Sequence, residues 1–276
     1  MEQKLLSLLM SYAHDAGRIA IAEQDNLEAI LKPDDTYVTE VDMRLSDLAF
    51  RTFEPVLPRR AIITEEQIDN LTDLMNGTSS HDGELLLVVD PIDGTRNYFH
   101  NMPLYGISVG VLRNRQPWLG VVTFPRLGET FYSSDDGAFM INGAYGPDPV
   151  TRRLNRSEDR VIKNSQVLLA NSFTRAYRWN YEVCTILLTA CVTINACWPT
   201  VRRGVGTVFM DHIWDIAGSW PILHQLGFEL RGSESGTRLT HFDWSDYDPD
   251  SHRVKEPVIV SRPDHFDRLR EGIIRY

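Results

Sequence analysis

In the stretch VVDPIDGTRNY, residues 88–98, Asp90 and Asp93 stand three residues apart, directly before Gly94-Thr95, in a 276-residue chain of formal net charge -10. A bare Asp-x-x-Asp-Gly-Thr has an ordinary reading as turn chemistry: aspartate favours turns, glycine supplies positive φ and threonine caps a helix. The context points elsewhere. Asp90 closes the apolar run LLLVVD, Pro91 stiffens the turn, and Gly94-Thr95 would present free backbone N–H groups at the start of a short helix, a place that attracts anions. Two ionised carboxylates beside it would repel a phosphate strongly at low effective dielectric unless a cation sat between them. Mg2+ suits that position, because it takes near-octahedral oxygen ligands at about 2.0–2.1 Å and completes its shell with water and substrate phosphate. The carboxylates would then hold metal, the metal would hold phosphate, and the helix start would take the remaining oxygens. These motifs supply no Cys or His partner for zinc-type coordination, and His81, His100 and His212 read as surface or structural residues.

Such a cluster needs elements to deliver it. Leu5, Leu6, Leu9, Ala13, Ala16, Ile19 and Ala20 recur at helical spacing and predict a first helix that frays near Asp25-Asn26. A second helix is expected to begin at Thr39, whose hydroxyl can cap it, and to run through Leu45, Leu48 and Ala49. AIIT (61–64) and LLLVVD (85–90) read as buried strands, each ending in acid, at Glu65-Glu66 and at Asp90, so that two strands carry carboxylates to one sheet edge. YGISVGVL, PWLGVVTF and ETFYSS follow as an antiparallel meander. Residues 147–160, rich in Pro, Asp and Arg, read as a boundary between an N-terminal α+β half (1–146) and a C-terminal α/β half (147–276). Beyond it the sequence predicts a strand at VLLAN, a buried helix over 181–198, a strand at GTVF, and a helix entered at Asp215 and ended by Gly227.

DPIDGTRNYFHNMP resembles the signature of the inositol monophosphatase superfamily, the lithium-sensitive, Mg2+-dependent phosphatases, whose pattern is Asp-Pro-Ile-Asp-Gly-Thr-x-Asn-Phe. Three further stretches resemble that family in the same order: KPDDTYVTEVD its Lys…Val-Thr-x-x-Asp loop, TEE its Gly-Glu-Glu, and WDIAG its Trp-Asp-x-Ala-Gly. The resemblance implies a layered αβαβα sandwich of the inositol monophosphatase / fructose-1,6-bisphosphatase type, with the site between the two halves. It implies that Glu65, Asp90 and the Ile92 carbonyl bind a first Mg2+, that Asp90, Asp93 and Asp215 bind a second, and that Glu65 helps hold a third. Thr95, oriented by Asp42, would with Glu65 position and deprotonate the attacking water, while Gly94 and Thr95 amides bind phosphate beside Asp93. The reaction implied is hydrolysis of a small phosphorylated alcohol such as inositol monophosphate, and family members are commonly homodimers. Asp42 and Asp215 also have plainer readings, as a helix-start acid and an N-cap.

The substrate side departs from the family. Thr64 stands for the glycine before Glu-Glu. The family's Gly-Ser/Thr-Ala at the start of a buried helix falls, counted back from Asp215, on Leu188-Thr189-Ala190, which makes Thr189 and Ala190 the candidate substrate contacts. A family glutamate that touches inositol hydroxyls falls on Val208. Inositol phosphate, histidinol phosphate and a nucleotide 3'-phosphate therefore stay open as substrates, beside a non-catalytic relative that binds a metabolite or protein. Trp198 and Trp220 lie near the expected pocket and read as core. A structural calcium module is disfavoured because the ladder of oxygen ligands at every second residue is missing. The acidic balance and the lack of a Lys/Arg block argue against nucleic acid, and no apolar run reaches the roughly 18 residues of a membrane span. Cys184, Cys191 and Cys197 fit neither a metal knuckle nor an even disulfide framework and read as buried thiols of a cytoplasmic protein.

Overall fold

A computed structural model of the protein describes residues 2–27, 29–31, 37–68 and 85–276. The first helix, α1 (Glu2–Glu23), buries Leu5, Leu9, Ala13, Ala16 and Ala20, the stripe that four-residue spacing puts on one face. A short hairpin of β1 (Ala29–Leu31) and β2 (Tyr37–Thr39) leads into α2 (Glu40–Phe53), which begins at Thr39 as expected. The cap is a reciprocal box: the Thr39 side chain accepts from the Asp42 N–H, and Asp42 Oδ2 accepts from the Thr39 N–H at 2.8 Å.

The main sheet has seven strands in chain order: β3 (Ile62–Thr64), β4 (Leu85–Asp93), β5 (Gly106–Arg113), β6 (Gln116–Phe124), β7 (Glu129–Ser134), β8 (Gly137–Asn142) and β9 (Val150–Arg153). β3 runs parallel to β4 and the rest form the antiparallel meander. β9 lies within the stretch read as a boundary, so the first sheet extends to Arg153. One face of this sheet packs on α1 and α2 around Leu45, Phe53, Val89, Val109 and Val121.

The second sheet has the order β12-β10-β13-β16-β14-β15, from β10 (Gln166–Leu169), β12 (Thr185–Leu188), β13 (Gly206–Phe209), β14 (Glu229–Gly232), β15 (Arg238–Leu239) and β16 (Val258–Ser261). β11 (Tyr177–Trp179) pairs apart from it with β17 (Ile273–Arg275). Between the two sheets lie the short helices α4 (Val192–Cys197), α5 (Ile213–Ala217) and α6 (Trp220–Gln225), which follow α3 (Thr95–Phe99) in the chain; α7 (Phe266–Arg270) packs on the outer face of β16. The layers run helix, sheet, helix, sheet, helix, the αβαβα order expected.

Two expected helices differ. Residues 181–198 do not form one helix: Thr185–Leu188 is a strand paired in parallel with β10, and only Val192–Cys197 is α-helical. A short apolar run does not distinguish strand from helix by periodicity, and here a neighbouring strand was available to pair with it. The helix assigned from Asp215 to Gly227 starts earlier, with His212 as its N-cap and Asp215 at the third position. It breaks at Gly218-Ser219, where Pro221, lacking an N–H, opens a new helix. Gly218 belongs to the tight contact itself: an added Cβ would sit 2.6 Å from Ser108 Oγ and 2.9 Å from the Val109 nitrogen of β5. Trp220 is core as expected, and Trp198 is partly buried against the same core cluster. No helix among the described residues is long and apolar enough to cross a membrane.

Candidate active site

β4 is buried along its length and delivers Asp90 with 0% exposure. The ladder with β5 is regular to Asp90 and resumes only at Asp93, so the Pro91-Ile92 step bulges out of register and turns both aspartates toward one side. Gly94 then takes φ +83, the left-handed conformation open to glycine, and caps α3. β3 ends beside β4, and the Glu65 N–H donates to Val89 O at 3.1 Å, which places Glu65 next to Asp90. The expectation that two strand ends bring acids together therefore holds in space.

The helices between the two sheets supply the rest. Asp215, in the first turn of α5, is oriented by the His212 N–H, which donates to its Oδ2 at 2.7 Å. Asp93 is held by the start of α4: its Oδ2 accepts from the Thr193 N–H at 2.5 Å, from Thr193 Oγ1 at 2.6 Å and from Cys191 Sγ at 3.0 Å. One oxygen of Asp93 is thus saturated by the start of α4. Asn97 ties the same parts together, donating to Leu104 O at 2.6 Å and Thr189 O at 2.7 Å.

Asp90, Asp93 and Asp215 each offer a carboxylate oxygen, and these oxygens all lie within 4.8 Å of one another. All three are buried, and burial, compounded by the neighbouring acids, pushes the Asp90 and Asp93 carboxyls well up; burial also raises Asp215. Among the described residues, both Asp90 oxygens are buried without a hydrogen-bond partner. Orphaned, crowded, buried carboxylates are costly unless a cation compensates them. An oxygen-only donor set of this kind fits a hard divalent ion such as Mg2+.

Asp42 is the helix-start acid of α2, closing its capping box, and its Oδ1 lies 3.4 Å from Thr95 Oγ1, which also lies 3.0 Å from Ile92 O. Burial, with Glu65 nearby, lifts the Asp42 carboxyl to about 7.

Glu65, Asp90, Ile92, Asp93, Gly94, Thr95 and Asp215 line one cavity of about 170 Å3. Residues just past the carboxyl ends of β10, β12 and β13, three parallel neighbours of the second sheet, also line it, the position where open α/β sheets place ligands. Ala190, at φ +56, lines it, but Thr189 does not. The Thr189 hydroxyl lies 2.6 Å from Asn195 Oδ1 and 2.9 Å from Cys191 O, so this candidate substrate contact is turned inward. The buried helix begins at Val192 with Cys191 as its N-cap, so the residues that meet the cavity from there are Cys191 and Val192. Val208 is fully buried in β13, and Asp211, three residues on, faces the cavity instead. His212, read as structural, also lines it, stacked on Trp214 at 4.4 Å between ring centroids. Asn171, Ser172, Arg175 and Arg253 were not foreseen. They sit in no motif, and only strand topology could have pointed to those after β10. His81 and the 32–36 end of the polar loop lie outside the described residues.

The family model of the inositol monophosphatase family matches residues 2–261. The chain belongs to the inositol monophosphatase family. Among the members it resembles, the fructose-1,6-bisphosphatase/inositol-1-monophosphatase of Thermotoga maritima is 32% identical over 218 residues, 75% of this chain and 77% of that one. The histidinol-phosphatase of Chlorobaculum parvum is 29% identical over 243 residues, 83% of this chain and 87% of that one. A solved Thermotoga maritima IMPase shares the fold at TM-score 0.74 and 23% identity, covering 98% of this chain and 96% of that one. Membership makes the chain one of a family of Mg2+-dependent phosphatases, and the buried acidic triad is present.

Proposed function

We propose that this family member is a phosphomonoesterase that uses two or three Mg2+ ions and a water molecule to hydrolyse a small phosphorylated alcohol of the inositol monophosphate kind. The observation that carries the reading is Asp90: two buried oxygens without donors, facing Asp93 and Asp215 in a cavity that also holds Glu65. Glu65, Asp90 and the Ile92 carbonyl would hold one ion, Asp90, Asp93 and Asp215 a second, with Glu65 assisting a third. Bound there, Mg2+ supplies Lewis acidity toward the phosphoryl oxygens and lowers the pKa of water.

The chain's own groups do the rest. Gly94 and Thr95 present backbone N–H groups to the phosphate. Thr95 Oγ1, 3.4 Å from Asp42 Oδ1, positions the water and takes a proton from it while passing its own toward Asp42, and Glu65 helps position the same water. Water oxygen bonds to phosphorus, the ester P–O bond breaks, and the alcohol leaves with a proton from solvent or a neighbouring acid. Asp93, fixed by Thr193 and Cys191, keeps the second ion in register with the first.

Hydrolysis of p-nitrophenyl phosphate by the purified protein tests this. Activity is expected with millimolar Mg2+, lost on chelation and lost in Asp90→Asn. Turnover that is indifferent to chelator, or retained in the variant, contradicts the proposal.

A further inference from the structure

The cavity's lining has two sets of groups of different character. One set is Glu65, Asp90, Asp93 and Asp215, the groups assigned above to metal. The other, at the ends of β10 and β13 and in the loop that reaches Arg253, is Ser172, Arg175, Asp211 and Arg253. The acid in that second set is already matched: Asp211 accepts from Ser172 Oγ at 2.7 Å and lies 3.8 Å from Arg253 Nη1. Arg175 is not matched. Among the described residues its guanidinium makes no ion pair and no side-chain hydrogen bond, and it is exposed to the cavity's solvent.

An unpaired arginine on an open surface signifies little. This one ends a short turn, Phe173–Arg175, that Phe173 anchors in the core with 0% exposure. It therefore has a fixed base in the turn after β10, a different element from the one that carries the Gly94 and Thr95 amides. Arg96, the other arginine of the cavity with no side-chain partner among the described residues, follows Thr95 at the start of α3. The two arginines thus reach the cavity from different elements.

We propose that the alcohol portion of the substrate carries a second anionic group, phosphate or carboxylate, held by Arg175. A guanidinium offers paired N–H donors that match either group, and it repels an ammonium group in the same place. This rests on the phosphatase reading and deepens it: a neutral polyol phosphate leaves Arg175 without a function, and a cationic alcohol such as that of histidinol phosphate is opposed by it.

Competition with p-nitrophenyl phosphate by Mg2+-loaded protein at neutral pH tests the idea with four hexose esters that differ in the distal group. Away from the 6-phosphate, glucose 6-phosphate is neutral, 6-phosphogluconate carries carboxylate at C1, glucose 1,6-bisphosphate carries phosphate at C1, and glucosamine 6-phosphate carries ammonium at the neighbouring C2. The carboxylate or the bisphosphate ester is expected to inhibit at about tenfold lower concentration than glucose 6-phosphate, and whichever does so identifies the anion; glucosamine 6-phosphate is expected to be weakest. Arg175→Gln should collapse the ratio toward one and Arg175→Lys should restore part of it, whereas mere structural damage weakens all four in parallel. Equal inhibition by all four, preference for the ammonium ester, or a ratio that survives Arg175→Gln overturns the inference while leaving the phosphatase reading intact. Absence of Mg2+-dependent p-nitrophenyl phosphate hydrolysis overturns both.

Discussion

Asp93 shows how much of the chemistry sits in single side chains. Its Oδ2 is occupied by three donors from Cys191 and Thr193, so only the other oxygen is left to meet an ion. Asp93→Asn keeps the shape and hydrogen-bonding size of the residue but removes the charge, and turnover is expected to fall at least about 100-fold with an unchanged circular dichroism spectrum. Thr193→Val keeps the N–H donor and loses the hydroxyl. Its Mg2+ affinity is expected to fall about tenfold by calorimetry, with Thr193→Ser recovering it; an unaltered affinity would show that the hydroxyl does not position the carboxylate. Glu65, Asp90, Asp93, Thr95 and Asp215 were legible in the sequence because each sits in a short motif whose chemistry is local. The anchor of Asp93 was not: it comes from residues about one hundred positions away, and nothing in Cys191-Val192-Thr193 read alone points back to an aspartate. Thr189 was misplaced for a related reason, since Thr185–Leu188 is a strand and the buried helix starts only at Val192.

At the scale of elements, the site depends on close approaches that hold the carriers of these side chains. The meander and the capping box at Thr39 were legible because turn residues and caps act over a few positions. The break between α5 and α6 was not, since it follows from the fit of Gly218 against β5. Gly218→Ala would press a methyl group onto Ser108 and the Val109 nitrogen. A destabilisation of about 1–3 kcal/mol is expected, seen as a lower thermal midpoint, together with weaker Mg2+ binding because α5 carries Asp215. A variant that melts like the parent would show that the contact relaxes without cost.

For the whole molecule, α2, β4 and α5 place acids in the same buried space, and that concentration of like charge has a stability consequence. The Asp42 carboxyl stands at about 7 against an ordinary 3.8, and Asp90, Asp93 and Asp215 are also raised, each chiefly by burial. For an acid whose folded pKa is raised, stability is fully present below the unfolded value and is lost as pH climbs through the folded one. The metal-free protein is therefore expected to melt at progressively lower temperature between about pH 4 and 7. Mg2+ should restore the loss at neutral pH and do little near pH 4, where protons already neutralise the carboxylates. Saturation at about 100 times Kd adds about 2.7 kcal/mol, which a thermal melt resolves. A metal-free midpoint that rises over this interval would contradict the burial of these acids.

The most direct test is a calorimetric Mg2+ titration of the protein beside Asp90→Asn, each followed by a metal-free melt. The expected result is binding of at least two ions by the parent and its loss in the variant, whose metal-free form melts higher because a buried, unpartnered charge has gone. Undiminished Mg2+ binding by Asp90→Asn would contradict the claim that these acids converge to hold divalent metal.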